Sequence, residues 1–95
     1  MDCKGLVFSG HALRRMFERG ISTSHVRAVI KSGEIIARYP EDKPLPSLLT
    51  LGFVGEVPLH VVVGEDVAER TCVVITVYVP EASVWHTDFK TRKSI

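Results

Sequence analysis

The sequence predicts an α+β domain. Two N-terminal helices, joined as an αα-hairpin, are expected on one face of a four- to five-stranded, mainly antiparallel sheet. Three observations carry this expectation. Apolar residues recur at helical spacing between Ser9 and Ser32, the period changes to two after Gly33, and turn residues then divide the chain into short β-branched runs. Two helices followed by a meander belong to the α+β class, and 95 residues suffice for one domain over 1–95.

Each element has its own signal. Lys4 to Phe8 reads as a short strand. Ser9 is placed as an N-cap, and the first helix runs to Arg19 with Gly20 as its left-handed terminator. Ala12, Leu13, Met16 and Phe17 share one side of it, while His11, Arg14, Arg15 and Glu18 share the other, with Arg19 at the margin. Ser22 caps the second helix, which ends before Gly33. The link of two or three residues makes an αα-hairpin. Glu34 to Tyr39 is a strand, and the prolines of PEDKPLP, Pro40 to Pro46, form a loop.

Leu48 to Phe53 and Val57 to Val63 read as a hairpin around Gly55. Thr71 to Val79 is apolar on both faces and suits a central strand, stopped by Pro80. The remainder is a tail or short strand anchored by Trp85 and Phe89. Alternation assigns Leu49, Leu51, Phe53, Leu59, Val61, Val63, Val73, Ile75 and Val77 to the helix-facing side. It assigns Leu48, Thr50, Gly52, His60, Val62, Cys72, Val74, Thr76 and Tyr78 to the other. The expected core unites Leu13, Met16, Phe17, Val26, Val29, Ile30, Leu59, Val61, Ile75 and Val77.

Composition narrows the function. The net charge of +1 excludes the bulk basic field of strong nucleic-acid binders, so a phosphate partner must be held by a local patch. Cys3 and Cys72 are in no CxxC arrangement. Cys72 reads as a small core residue and a disulfide is left open but not suggested, which fits a reducing compartment. MDCKGLVF has no secretory pattern and no apolar run approaches ~18 residues, so the expected location is cytoplasmic, with no membrane partner.

No metal-ligand spacing, phosphate-binding glycine loop or nucleophile elbow occurs, and no cofactor is expected. What remains is histidine, arginine, glutamate and tyrosine. Metal-independent RNA cleavage needs a base for the 2′-hydroxyl, a cation for the phosphorane and an acid for the 5′-oxygen. Those residue types suit these roles. Against this, the polar face of the first helix reads on composition alone as a solvated face, with Arg14 and Glu18 as an ordinary i,i+4 pair. His60 reads as a hydrogen-bonded structural histidine, Tyr78 as a core residue, Trp85 as an apolar anchor and Lys90, Arg92 and Lys93 as a solvated tail.

The stretches FSGHALRRMFERGIS, PLHVVV and VVITVYVPEASVW resemble a bacterial family of domains of unknown function, over about residues 8 to 92. That family is grouped with the barnase–EndoU–colicin–RelE (BECR) fold, which includes RelE-like and BrnT-like toxins. The resemblance implies a RelE-like fold and a metal-independent endoribonuclease toxin of a toxin–antitoxin pair. It also implies an antitoxin partner with a zinc-finger and DNA-binding part. His11, Arg15, Arg19, His60 and Tyr78 stand at positions that match the family pattern. The expected catalytic set is therefore His11, Arg15, Glu18, His60 and Tyr78, and the expected RNA-binding set is Arg14, Arg19, Arg92 and Trp85. The alternative is a non-catalytic protein- or RNA-binding module of the same fold.

Overall fold

The computed structural model describes residues 3–94. The elements are β1 (Gly5–Phe8), α1 (Gly10–Arg19), α2 (Thr23–Ser32), β2 (Glu34–Tyr39), β3 (Ser47–Val54), β4 (Val57–Asp66) and β5 (Thr71–Tyr78). The five strands form one mixed sheet in the order β1-β5-β4-β3-β2. β1 runs parallel to β5, so the sheet is not purely antiparallel; the other pairings are antiparallel.

The helix boundaries follow from their caps. Ser9 accepts a hydrogen bond from the Ala12 amide, satisfying a donor that the first turn leaves orphaned. Gly20 ends α1 at φ 65°, in the left-handed region open to glycine. Ser22 caps α2 through the His25 amide, and the His25 ring accepts from the Ser22 amide in return. This is a capping box with histidine in the place usually held by Glu or Gln.

Ala12 and Met16 of α1 and Val26 and Val29 of α2 share one apolar cluster with Leu48, Leu59, Val61, Val63, Cys72, Val74 and Val77. α1 packs on β5, and α2 on β3 and β4. Gly52 lies where a Cβ would come within 2.7 Å of a Val29 methyl, so a side chain there would push α2 outward.

This core corrects the expected one in three ways. Leu13 and Phe17 are 47% and 88% exposed, so the inward stripe of α1 is narrower than its apolar residues suggest. Ile75 is 37% exposed, because the β4–β5 register jumps from Val62↔Thr76 to Val63↔Val74 and leaves it as the extra residue of a bulge. That jump reverses the alternation, placing Cys72 and Val74 in the core with Val77. On β3 the phase is also opposite to expectation. Leu48 and Thr50 pair with the core residues Val63 and Val61, whereas Leu49 and Leu51 pair with Val62 and His60 on the other side.

Cys3 and Cys72 are joined by a disulfide, which the sequence reading left open. Parallel pairing of Leu6 with Cys72 brings the segment before β1 alongside β5, within bonding reach. Cysteine usage thus gives no support to a reducing compartment. Among the described residues, no helix is long and apolar enough to cross a membrane.

Candidate functional site

β1 accompanies β5 only as far as Val74, where the chain turns into α1. The turn is fixed to β5 by the Ser9 amide on the Val74 carbonyl and the Ser9 hydroxyl on the Ile75 carbonyl, both 3.0 Å. His11 continues this seam, sharing a 3.0 Å hydrogen bond between Nε2 and Thr76 Oγ1. The polar flank of α1 is therefore brought against the second half of β5 and the chain that follows it.

Between them lies a cavity of about 380 Å³. One wall is His11, Arg15 and Arg19, spaced four residues apart along α1. The floor is Thr76, Tyr78 and Val79 of β5 and its end. The far wall is Glu81, Val84, Trp85 and Arg92. That wall is a small hairpin-like fold of the tail. Trp85 and Arg92 form an antiparallel bridge, and the Lys93 amide donates to the Val84 carbonyl and the His86 amide to the Thr91 carbonyl. Asp88 closes its turn by accepting from the Lys90 and Thr91 amides and the Thr91 hydroxyl, bonds that hold its carboxyl below the ordinary range. Lys90 adds a 3.0 Å ion pair to Glu34 at the start of β2.

His60 and Tyr78 are directly opposed across β4 and β5 and do touch, but His60 is not part of the cavity wall. It is completely buried. Its Nε2 lies 2.7 Å from the Phe89 carbonyl and its Nδ1 3.1 Å from the Tyr78 hydroxyl. A carbonyl only accepts, so Nε2 carries the proton and the neutral ring accepts from Tyr78 at Nδ1. Burial pulls the His60 pKa down, against a smaller upward pull from the Phe89 carbonyl, so the ring is held neutral. Both nitrogens are engaged within the protein. The Tyr78 phenol is pushed up by burial and by Tyr39, with Arg92 opposing, and stays protonated.

The remaining expected residues divide. His11, Arg15, Arg19, Tyr78, Trp85 and Arg92 meet in the one cavity; Arg14 and Glu18 are exposed on α1 outside its lining. Glu18 approaches Arg15 at 3.9 Å rather than Arg14, a long contact between half-exposed groups that is worth little. Trp85 is already in use. The His60 ring stands nearly perpendicular to it with centroids 4.6 Å apart, and the Arg92 guanidinium lies 6.0 Å from its centroid. Its place is thus that of an anchor carrying a cation. Glu81 was not anticipated. Its only sequence signal is its position directly after the Pro80 that ends β5.

Three guanidiniums, an imidazole and one carboxylate line this cavity, a donor-rich set whose chemistry can hold an anion with several oxygens. Among the described residues, no group of three or more His, Cys, Asp or Glu side chains is placed to hold a metal ion. No curated protein and no solved structure matches the chain. Residues 8–79, well over half of the chain and including both helices, strands β2 to β5 and the β5 floor of the cavity, match the model of a domain of unknown function, DUF4258. The chain belongs to the DUF4258 family.

Proposed function

We propose that the chain is a small endoribonuclease that cleaves RNA by attack of the 2′-hydroxyl on the adjacent phosphate, without a catalytic metal. One observation carries this reading: Arg15, Arg19 and Arg92 converge with His11 on a single cavity beside Tyr78 and Trp85. The arginines suit the charge that builds on the phosphorane, and His11 suits proton transfer to the leaving 5′-oxygen. Tyr78 hydrogen-bonds His60, which in turn holds the tail that carries Trp85 and Arg92; these two are positioning residues. Arg14 extends the cationic surface along the RNA.

The RelE/BrnT-like arrangement, with both helices on one sheet face, belongs to the same reading. Its support is the apolar cluster that α1 and α2 share with alternating residues of β3, β4 and β5. So does the physiological setting of a toxin acting on cytoplasmic RNA and restrained by an antitoxin with a zinc-finger and DNA-binding part. The support for this setting is the resemblance of the sequence to such toxins.

A second reading, a non-catalytic protein- or RNA-binding module, draws on a different observation. Phe17 and Leu13 stand exposed one turn apart on α1, an apolar pair that suits a protein partner. Incubation of the purified chain with an RNA oligonucleotide and with the same strand carrying a single 2′-deoxy position separates the readings. A ribonuclease of this type leaves a 2′,3′-cyclic phosphate and spares the deoxy linkage. Binding with no cleavage of either strand supports the module.

A further inference from the structure

The ribonuclease reading leaves one role unfilled. His60 has both nitrogens committed inside the protein, and Glu18 lies outside the cavity beside Arg15. Neither is placed to take a proton from a ribose hydroxyl. Glu81 is the carboxylate of the cavity wall. Its backbone is pinned, because its carbonyl accepts from the Val84 amide at 3.0 Å and from the Trp85 amide at 2.9 Å. Its side chain is exposed, and among the described residues its polar contact is a long 3.5 Å approach of the Ser83 hydroxyl to Oε2. No arginine of the cavity is within ion-pair distance of it among the described residues. The backbone that carries this carboxylate is therefore fixed at the cavity that His11 also lines, and the carboxylate itself has no polar contact closer than 3.5 Å among the described residues.

We infer that Glu81 is the proton acceptor of the cleavage step, facing His11 across the bound phosphodiester; this rests on the ribonuclease reading. In the step, the 2′-hydroxyl gives its proton to a Glu81 carboxylate oxygen as the 2′-oxygen forms a bond to phosphorus. The bond from phosphorus to the 5′-oxygen breaks, and that oxygen takes a proton from the His11 imidazolium. The products are a 2′,3′-cyclic phosphate and a free 5′-hydroxyl, with Glu81 protonated and His11 neutral. Attack and departure occur on opposite sides of the phosphorus, which is why a base and an acid are needed on opposite walls. The arginines hold the phosphorane oxygens between them.

The test compares wild type, Glu81→Gln, Glu81→Ala and His11→Ala on an ordinary RNA oligonucleotide and on one whose scissile 5′-oxygen is replaced by sulfur. A thiolate leaves without being protonated, so the sulfur strand removes the need for the acid and keeps the need for the base. Glu81→Gln is expected to lose roughly 10²–10⁴-fold in cleavage rate on both strands with unchanged RNA affinity, the size of a general-base contribution. His11→Ala should recover on the sulfur strand only, and added formate should partly restore Glu81→Ala. Wild-type rates in Glu81→Gln, its rescue by the sulfur strand, or a change of base preference without loss of rate would each overturn the assignment. A wild-type chain that cleaves neither strand overturns the ribonuclease reading itself.

Discussion

His60 and Phe89 are joined by a 2.7 Å hydrogen bond from the ring Nε2 to the backbone carbonyl, across 29 residues of sequence. The bond ties the middle of β4 to the turn of the C-terminal hairpin, and through it positions Trp85 and Arg92 at the cavity. The Phe89 ring adds an edge contact to Phe53, with centroids 6.3 Å apart. His60 is thus the peg on which the far wall of the cavity hangs.

Replacing His60 by alanine should destabilise the fold by about 2–4 kcal/mol, from lost packing and from the hydroxyl and carbonyl left without partners. Urea denaturation measures the total. Amide exchange locates the effect, with protection lost at Trp85, His86 and Lys93.

The same residue gives the fold a pH dependence. Its folded-state pKa lies below the 6.5 of an exposed histidine. The unfolded chain therefore binds the proton more readily, and stability rises with pH between the folded pKa and 6.5. As pH falls through that window the contribution is lost, and below the folded pKa it changes no further. The unfolding free energy of wild type should slope across this window, and that of His60→Gln should slope less.

The two apolar pairs on α1 should behave oppositely. Met16→Ala removes a buried side chain from the shared cluster and should cost about 2–5 kcal/mol. Phe17→Ser alters a side chain that is 88% exposed and should stay within about 0.5 kcal/mol. Matched urea melts of the two variants check this. A large loss in Phe17→Ser would mean that the helix sits differently on the sheet.

The Cys3–Cys72 disulfide closes a loop across 69 residues. Reduction, or Cys3→Ser, should lower stability by about 2–4 kcal/mol, mainly by freeing the unfolded chain. Comparing urea midpoints of wild type with and without reductant measures it, with Cys3→Ser as the variant that reductant should leave unmoved.

Much of this architecture is legible in the residues because it is local. Ser9 and Gly20, and Ser22 and Gly33, bracket the two helices because capping chemistry is read within one turn. The phases of β3 and β5 are not legible, because SLLTL and CVVIT carry apolar residues on both faces, the polar Thr50 lies buried on the core side, and the bulge at Ile75 leaves no mark in composition. The exposure of Phe17 depends on how α1 meets β5, which helical periodicity alone does not contain. At the site, the convergence of His11, Arg15 and Arg19 follows from their spacing. The sealing of His60 does not, since its partner is the backbone of a residue 29 positions away. Glu81 carries no motif, and only the turn after Pro80 brings it to the cavity.

The most direct measurement is the cleavage rate of RNA by wild type and by Arg15→Ala, both in EDTA. Arg15 lies in the cavity and its side chain is about half exposed, so its loss should leave the fold intact. Wild type should cleave, and Arg15→Ala should fall by roughly 10²–10³-fold, the usual loss for one well-placed electrostatic stabiliser. Intact RNA with wild type under these conditions, or equal cleavage by both proteins, would contradict the account.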